Sequence, residues 1–165
     1  MDGFIDELIA KARAAQKQIE FWPQDKVDLM VAAVGWETYK QAEAIAKLAV
    51  EETQMGVFEH KKLKHQKKTL GALRDMDGVK SVGVIEEDPV KGLIKVAKPV
   101  GVIGALTPVT NCEATLPSKA LPALKARNAI IFAPHPKAKK TAKLVCESMW
   151  AGLRKVGAPL DLIQV

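Results

Sequence analysis

Aromatic side chains are scarce: Phe, Trp and Tyr make up 5% of the 165 residues, and none falls among the lysines of positions 61 to 68. Proteins that hold single-stranded nucleic acid stack bases on such rings, so that mode of binding is not expected. Cysteine is scarcer still. Cys112 and Cys146 are the only two, too few for a disulfide framework and without the paired spacing of a zinc site, so reduced thiols and no bound metal are expected. No apolar run reaches the length of about eighteen residues that marks a bilayer span, and no basic, then apolar, then small-residue leader opens the chain. A cytoplasmic protein without a membrane contact follows. Nor is there a Gly-x-Gly-x-x-Gly. Gly101 and Gly104 do not replace it, so the usual dinucleotide phosphate cradle cannot be claimed.

What is present is an apolar fraction of 48% and a net charge of +6 with a pI near 9.3. A chain of this length and composition can bury a core, and one domain is expected. The positive charge is clustered. Lys61, Lys62, Lys64, Lys67 and Lys68 form one group, and Lys137, Lys139, Lys140 and Lys143 another. The simplest reading of each is a solvated helix face. Steering of a phosphorylated cofactor, or binding of nucleic acid by a basic helical module, are the functional alternatives, and the shortage of aromatics weighs against the second.

Periodicity predicts helices over residues 2–19, with Phe4, Ile5, Leu8, Ile9, Ala12 and Ile19 on one buried stripe, and over 24–40, entered through Pro23, with Val27, Met30, Val31 and Val34 inward. A third helix spans 41–54, with Glu51 and Glu52 exposed and Gly56 as its stop. A fourth, 57–73, has only Phe58, Leu63, Leu70 and Leu73 as apolar positions, so it should lie on the surface with His60 and His65 in solvent. Residues 82–85 and 93–97 read as two strands around a turn containing Pro89 and Gly92. An isolated hairpin is only marginally stable in water, so this one should pair with another chain or with further sequence.

Residues 98–136 read as one βαβ unit. Val100, Val102, Ile103, Ala105 and Leu106 form a nearly continuous apolar run, as in a parallel strand covered on both faces. Glu113 to Lys125 can be a helix in which Pro117 is tolerated near the first turn and Pro122 should cause a kink or break. Asn128 to Phe132 is the second strand. A helix over 137–156, stopped by Gly157, and a strand over 160–165 complete the pattern. Thr107 to Glu113 lies at the carboxyl end of the first strand, where open α/β sheets place their ligand crevice, which makes Asn111 a site candidate. An Asn there can equally close the loop by bonding its own backbone.

The run KPVGVIGALTP with its following Thr-Asn, the helix ending LPALKARNAIIF, Ala133-Pro134-His135-Pro136, and the tail from Gly157 to Ile163 together resemble the amino-terminal half of the cofactor domain of aldehyde dehydrogenases, specifically the CoA-acylating branch. The resemblance covers residues 80 to 165 and, more loosely, the helical start. It implies a helical layer (1–78), a projecting hairpin through which subunits pair as a homo-oligomer (79–98), and the first βαβαβ half of a Rossmann-like parallel sheet (99–165). The catalytic domain would lie outside this sequence.

By motif position the resemblance makes Asn111 the donor to the oxyanion that forms when a catalytic cysteine adds to an aldehyde. A carboxamide suits that task because it donates a hydrogen bond without exchanging a proton. Neither cysteine here matches the nucleophile, and Cys112 reads as a small loop residue. Thr107, Pro108 and Val109, with Pro134, His135 and Pro136, are the implied contacts to NAD or NADP and to coenzyme A. Many non-acylating relatives carry a Lys and a Glu around Pro134 to hold the adenine ribose. Ala133 and Pro136 stand there instead, and Pro-His-Pro resembles the acylating branch. A small aldehyde is the implied substrate. A non-acylating dehydrogenase is the alternative within the family.

Overall fold

The computed structural model describes residues 2–165. Four helices come first: α1 (Asp2–Ile19), α2 (Gln24–Lys40), α3 (Ala42–Thr53) and α4 (Phe58–Met76). Strands β1 (Gly83–Asp88) and β2 (Leu93–Ala97) form a separate antiparallel hairpin, after which come β3 (Val102–Thr107), α5 (Cys112–Lys125), β4 (Ala129–Pro134), α6 (Lys139–Lys155) and β5 (Ile163–Gln164). The three later strands lie parallel in the order β3-β4-β5. The chain is therefore α/β: a helical layer, an antiparallel hairpin and a three-stranded parallel sheet.

The sheet is covered on one face and partly open on the other: contrary to the expectation of a strand buried on both sides, Leu106 is 81% exposed, and Val100, 83% exposed, lies before β3 begins. Helix α1 packs against the face carrying Gly104 and Ile131, and α5 against the face carrying Ile103, Ala105 and Ile130. Helices α2, α3 and α4 form a further layer over α5 and α6. A tight crossing lies at Gly152 of α6, where a Cβ would stand 2.4 Å from the Val34 Cα of α2. Only a bare backbone fits there, and any side chain would push α2 and α6 apart.

Several sequence expectations need correction. Only the carboxyl-terminal half of the α1 stripe is buried, at Ala12, Ala15 and Ile19, whereas Phe4 and Ile5 are exposed. Helix α3 stops at Gln54, whose φ of 56° supplies the left-handed turn assigned to Gly56. Residues 160–165 contribute only a 3-10 turn and the two-residue strand β5. The residues before α6, Pro136–Ala138, form another 3-10 turn.

The larger corrections concern α4 and α5. The buried residues of α4 are Lys61, His65 and Thr69, one stripe at a spacing of four, while Leu63 and Leu70 face solvent. His60 is exposed and His65 is not. Helix α5 is unbroken through Pro122. Pro117 lies in its second turn, and the N–H it lacks would have bonded the main-chain oxygen of Glu113. His65 takes that place from α4, with Nδ1 2.9 Å from the Glu113 oxygen. The missing helical bond is thus replaced by a bond between helices.

Helix α5 ends in paired bonds of the Schellman type, Asn128 N–H to Ala123 O at 2.9 Å and Arg127 N–H to Leu124 O at 2.8 Å, with Arg127 left-handed at φ 59°. An arginine is held in this glycine conformation by its side chain, which donates to the main-chain oxygens of Glu20 and Ala97. Asn128 then accepts from the N–H groups of Val100 and Gly101 at 2.7 and 3.0 Å, aligning the starts of β3 and β4.

Candidate functional site

The carboxyl ends of β3 and β4 bring the two sequence-predicted segments side by side. Thr107 is in register with Pro134, and the His135 N–H donates to the Thr107 carbonyl at 3.2 Å. Beneath them Cys112, Ala138 and Ala49 pack as a small buried cluster. Thr107 is buried, Val109, Pro134 and His135 are half-buried, and Pro108 and Pro136 are exposed. His135 Nδ1 accepts from the Lys137 N–H at 3.1 Å. A neutral ring therefore carries its proton on Nε2.

Asn111 is the N-cap residue of α5, with φ −132° and ψ 38°. An Asn at that position ordinarily turns its carboxamide back onto the free amides of the first turn. Here it makes no side-chain cap bond, and its Oδ1 is buried without a partner. Thr107 Oγ1, at the end of β3, is likewise buried without a partner. Two polar atoms in neighbouring segments of this mouth, Asn111 Oδ1 and Thr107 Oγ1, are thus buried without a hydrogen bond, as are Glu113 Oε1 and Thr69 Oγ1 in the adjoining helices.

Cys112 opens α5 rather than lying in the loop, and it is fully buried. Burial and the adjacent Glu113 carboxylate push its thiol up to about 11, despite the opposing charge of Lys61. A thiol held protonated is a poor nucleophile. Burial raises Cys146 further, to about 12. Among the described residues no group of three or more His, Cys, Asp or Glu side chains could hold a metal ion.

The Glu113 side chain is 0% exposed and lies between two lysines of α4. Lys61 Nζ donates to Oε2 at 3.0 Å and to the Thr110 main-chain oxygen at 3.3 Å. Lys64 Nζ stands 2.8 Å from Oε1, close enough for an ion pair but outside hydrogen-bond angles. Burial favours the neutral acid, yet the lysines and the residue's own N–H outweigh it and hold the Glu113 carboxyl below the ordinary carboxylate range. His65 completes the seam, with Nε2 3.2 Å from the Thr38 main-chain oxygen. Burial keeps its imidazole below the usual 6.5, against the pull of the Thr38 and Glu113 oxygens and of the Glu113 charge.

The family model of the aldehyde dehydrogenases, described as the Aldehyde dehydrogenase family, matches residues 4–165. The chain belongs to this family. A sulfoacetaldehyde dehydrogenase from an Acholeplasma species is 56% identical over 160 residues, covering 95% of this chain and 33% of its own. An acetylating aldehyde dehydrogenase from Geobacillus thermoglucosidasius has a TM-score of 0.95 at 35% identity, covering 98% of this chain and 36% of its own. The propionaldehyde dehydrogenase of Rhodopseudomonas palustris, solved with bound propionyl-CoA, has a TM-score of 0.83 at 28% identity, covering 96% and 35%. The chain thus spans about a third of the length of these relatives.

In this aldehyde dehydrogenase chain the side chains that brace the mouth were missed by sequence reasoning. Lys61 and Lys64 read as solvent lysines, His65 as a surface histidine and Glu52 as an exposed carboxylate. Glu52 in fact accepts from the N–H groups of Lys140 and Thr141 at 2.8 and 2.7 Å and from the Thr141 hydroxyl at 2.7 Å. Burial works against its charge, but those donors hold its carboxyl below the usual range. The available signals were the spacing of Lys61, His65 and Thr69, and a proline four residues after Glu113.

Proposed function

We propose that this chain is the amino-terminal part of a CoA-acylating aldehyde dehydrogenase that converts a small aldehyde, NAD(P)+ and coenzyme A into an acyl-CoA and NAD(P)H. The acetylating and CoA-bound relatives support the acylating branch, and the third of their length covered here supports a nucleophilic cysteine on polypeptide outside these residues. Both thiols in this chain are buried and have raised pKa values, which agrees with that division.

The observation that carries the reading is Asn111, placed as a helix cap but not capping. When the external thiolate adds to the aldehyde carbonyl, negative charge develops on oxygen, and the Asn111 amide N–H is free to donate to it. The nicotinamide cofactor then supplies a hydride acceptor and coenzyme A a thiol to carry off the acyl group. Thr107, Pro108 and Val109, with Pro134, His135 and Pro136, form the rim against which the cofactors would lie, the buried Thr107 by holding the His135 N–H through its carbonyl and the others by their more open surfaces. The hairpin (79–98) is the arm through which subunits pair. Its strands form a sheet with each other and with no other strand of the described residues.

In the complete enzyme, Asn111→Ala should lower kcat by about 10²- to 10³-fold, as removal of an oxyanion donor does. The aldehyde KM and nicotinamide-cofactor binding should change little. An unchanged kcat would remove the chemical basis of the assignment.

A further inference from the structure

The seam between α4 and α5 carries charge where two helices ordinarily bury apolar side chains. Lys61 is 3% exposed, and its ammonium has two partners, the Glu113 carboxylate and the Thr110 carbonyl. These lie two residues after Asn111 and one before it. A buried ion pair is weak evidence for stability, because well-packed apolar residues of similar volume often serve as well. The charge therefore calls for another account, and the Thr110 carbonyl supplies it. A single cation grips the chain on both sides of the carboxamide.

The grip opposes a competing conformation. Asn is among the strongest N-cap residues, because its side-chain oxygen accepts from an N–H of the first turn. Asn111 sits at that position and does not cap. Relaxing the Thr110 to Glu113 segment would let the side chain swing onto the Ala114 N–H, turning the amide from the mouth. His65 restrains the same segment through the Glu113 main-chain oxygen that Pro117 leaves free.

We infer that Lys61, fixed by Glu113, is a positioning residue that keeps the Asn111 carboxamide out of its own helix cap and directed at the mouth. The inference rests on the oxyanion role proposed above and assigns its geometry to a residue of α4.

The test is a double-mutant cycle in the complete enzyme. Lys61→Met should lower kcat by about 10- to 100-fold with the aldehyde KM little changed, the size expected of a misplacement near 1 Å. In an Asn111→Ala background the same substitution should change kcat by less than about twofold, since the group it positions is gone. Equal losses in the two backgrounds would make Lys61 a structural residue and overturn the inference, as would wild-type kcat in Lys61→Met. Because Lys61→Met leaves Glu113 short of a partner, the cycle is repeated with Lys61→Met/Glu113→Gln, which removes both buried charges. If neither form folds, Lys61 is a stability residue and the inference falls. A harmless Asn111→Ala would instead indict the oxyanion role itself. A crystal structure of the doubly substituted enzyme gives a second readout: Asn111 Oδ1 should accept from a first-turn N–H of α5.

Discussion

The α4–α5 seam and the β1–β2 hairpin invert the usual placement of side chains in opposite directions. The seam buries a lysine, a histidine, a threonine and a glutamate. The hairpin exposes Val84, Leu93, Ile94 and Val96, with Ile94 64% open to solvent. Both depart from the rule that apolar side chains go inside, but they differ in completeness. The seam is closed within the chain, since the Glu113 carboxylate and the Lys61 ammonium answer one another and His65 bridges to α2, although Glu113 Oε1 and Thr69 Oγ1 make no hydrogen bond. The hairpin is not. Its two strands pair only with each other among the described residues, and their apolar side chains stay exposed. A buried charge is thus explained by what lies beside it, whereas nothing among the described residues covers the exposed apolar side chains of the hairpin.

The comparison can be broken most forcefully at Glu113. Glu113→Ala strands Lys61 as a buried cation without its countercharge, and removal of one partner from a buried pair costs about 3–5 kcal/mol. A matching fall in the urea midpoint is expected, and a loss below about 1 kcal/mol would mean that the seam is not closed by this pair.

A smaller effect sharpens the same contrast through pH. The folded pKa of His65 lies below 6.5, so between the folded and unfolded values the unfolded chain binds more protons, and stability falls as pH drops below 6.5. Glu113, also depressed, contributes stability that is present above 4.5 and lost only as pH falls through its lower folded value. Urea midpoints taken between pH 7.5 and 5.5 should therefore decline in the wild type and flatten in His65→Gln, by up to about 1.4 kcal/mol per unit of pKa difference. An identical decline in both would place the titrating group elsewhere.

The hairpin should respond least in stability and most in assembly. Ile94→Lys adds charge to an exposed strand, so monomer stability should move by no more than about 0.5 kcal/mol. Sedimentation should nonetheless show a smaller species if the arm pairs subunits. Unchanged assembly would leave the exposed apolar side chains without that explanation.

The same contrast explains which features the sequence disclosed. Helices α2 and α6 and strand β4 were legible because most of their buried positions are apolar and recur at helix or strand spacing, and β3 because its apolar run is continuous even where Leu106 is exposed. Helix α4 has an equally regular buried stripe, but it is written in Lys61, His65 and Thr69, so reading by hydrophobicity selected the wrong face. The continuity of α5 was hidden for a related reason. The partner that replaces the Pro117 bond comes from His65, 48 residues from Glu113, and local pattern carries no information at that range. The positions of Thr107 and His135 followed from strand ends. The unengaged carboxamide of Asn111 did not, since it depends on a cation in α4.

Glu52 has a consequence for how this half of the molecule can meet a nucleotide. The start of a helix beside a parallel sheet is a ready seat for a diphosphate, because its amides point outward unpaired. At α6 that seat is taken from within: the carboxylate of α3 already holds two of those amides and the Thr141 hydroxyl. A diphosphate arriving at this end of the sheet must displace an internal tenant or draw its donors from another helix.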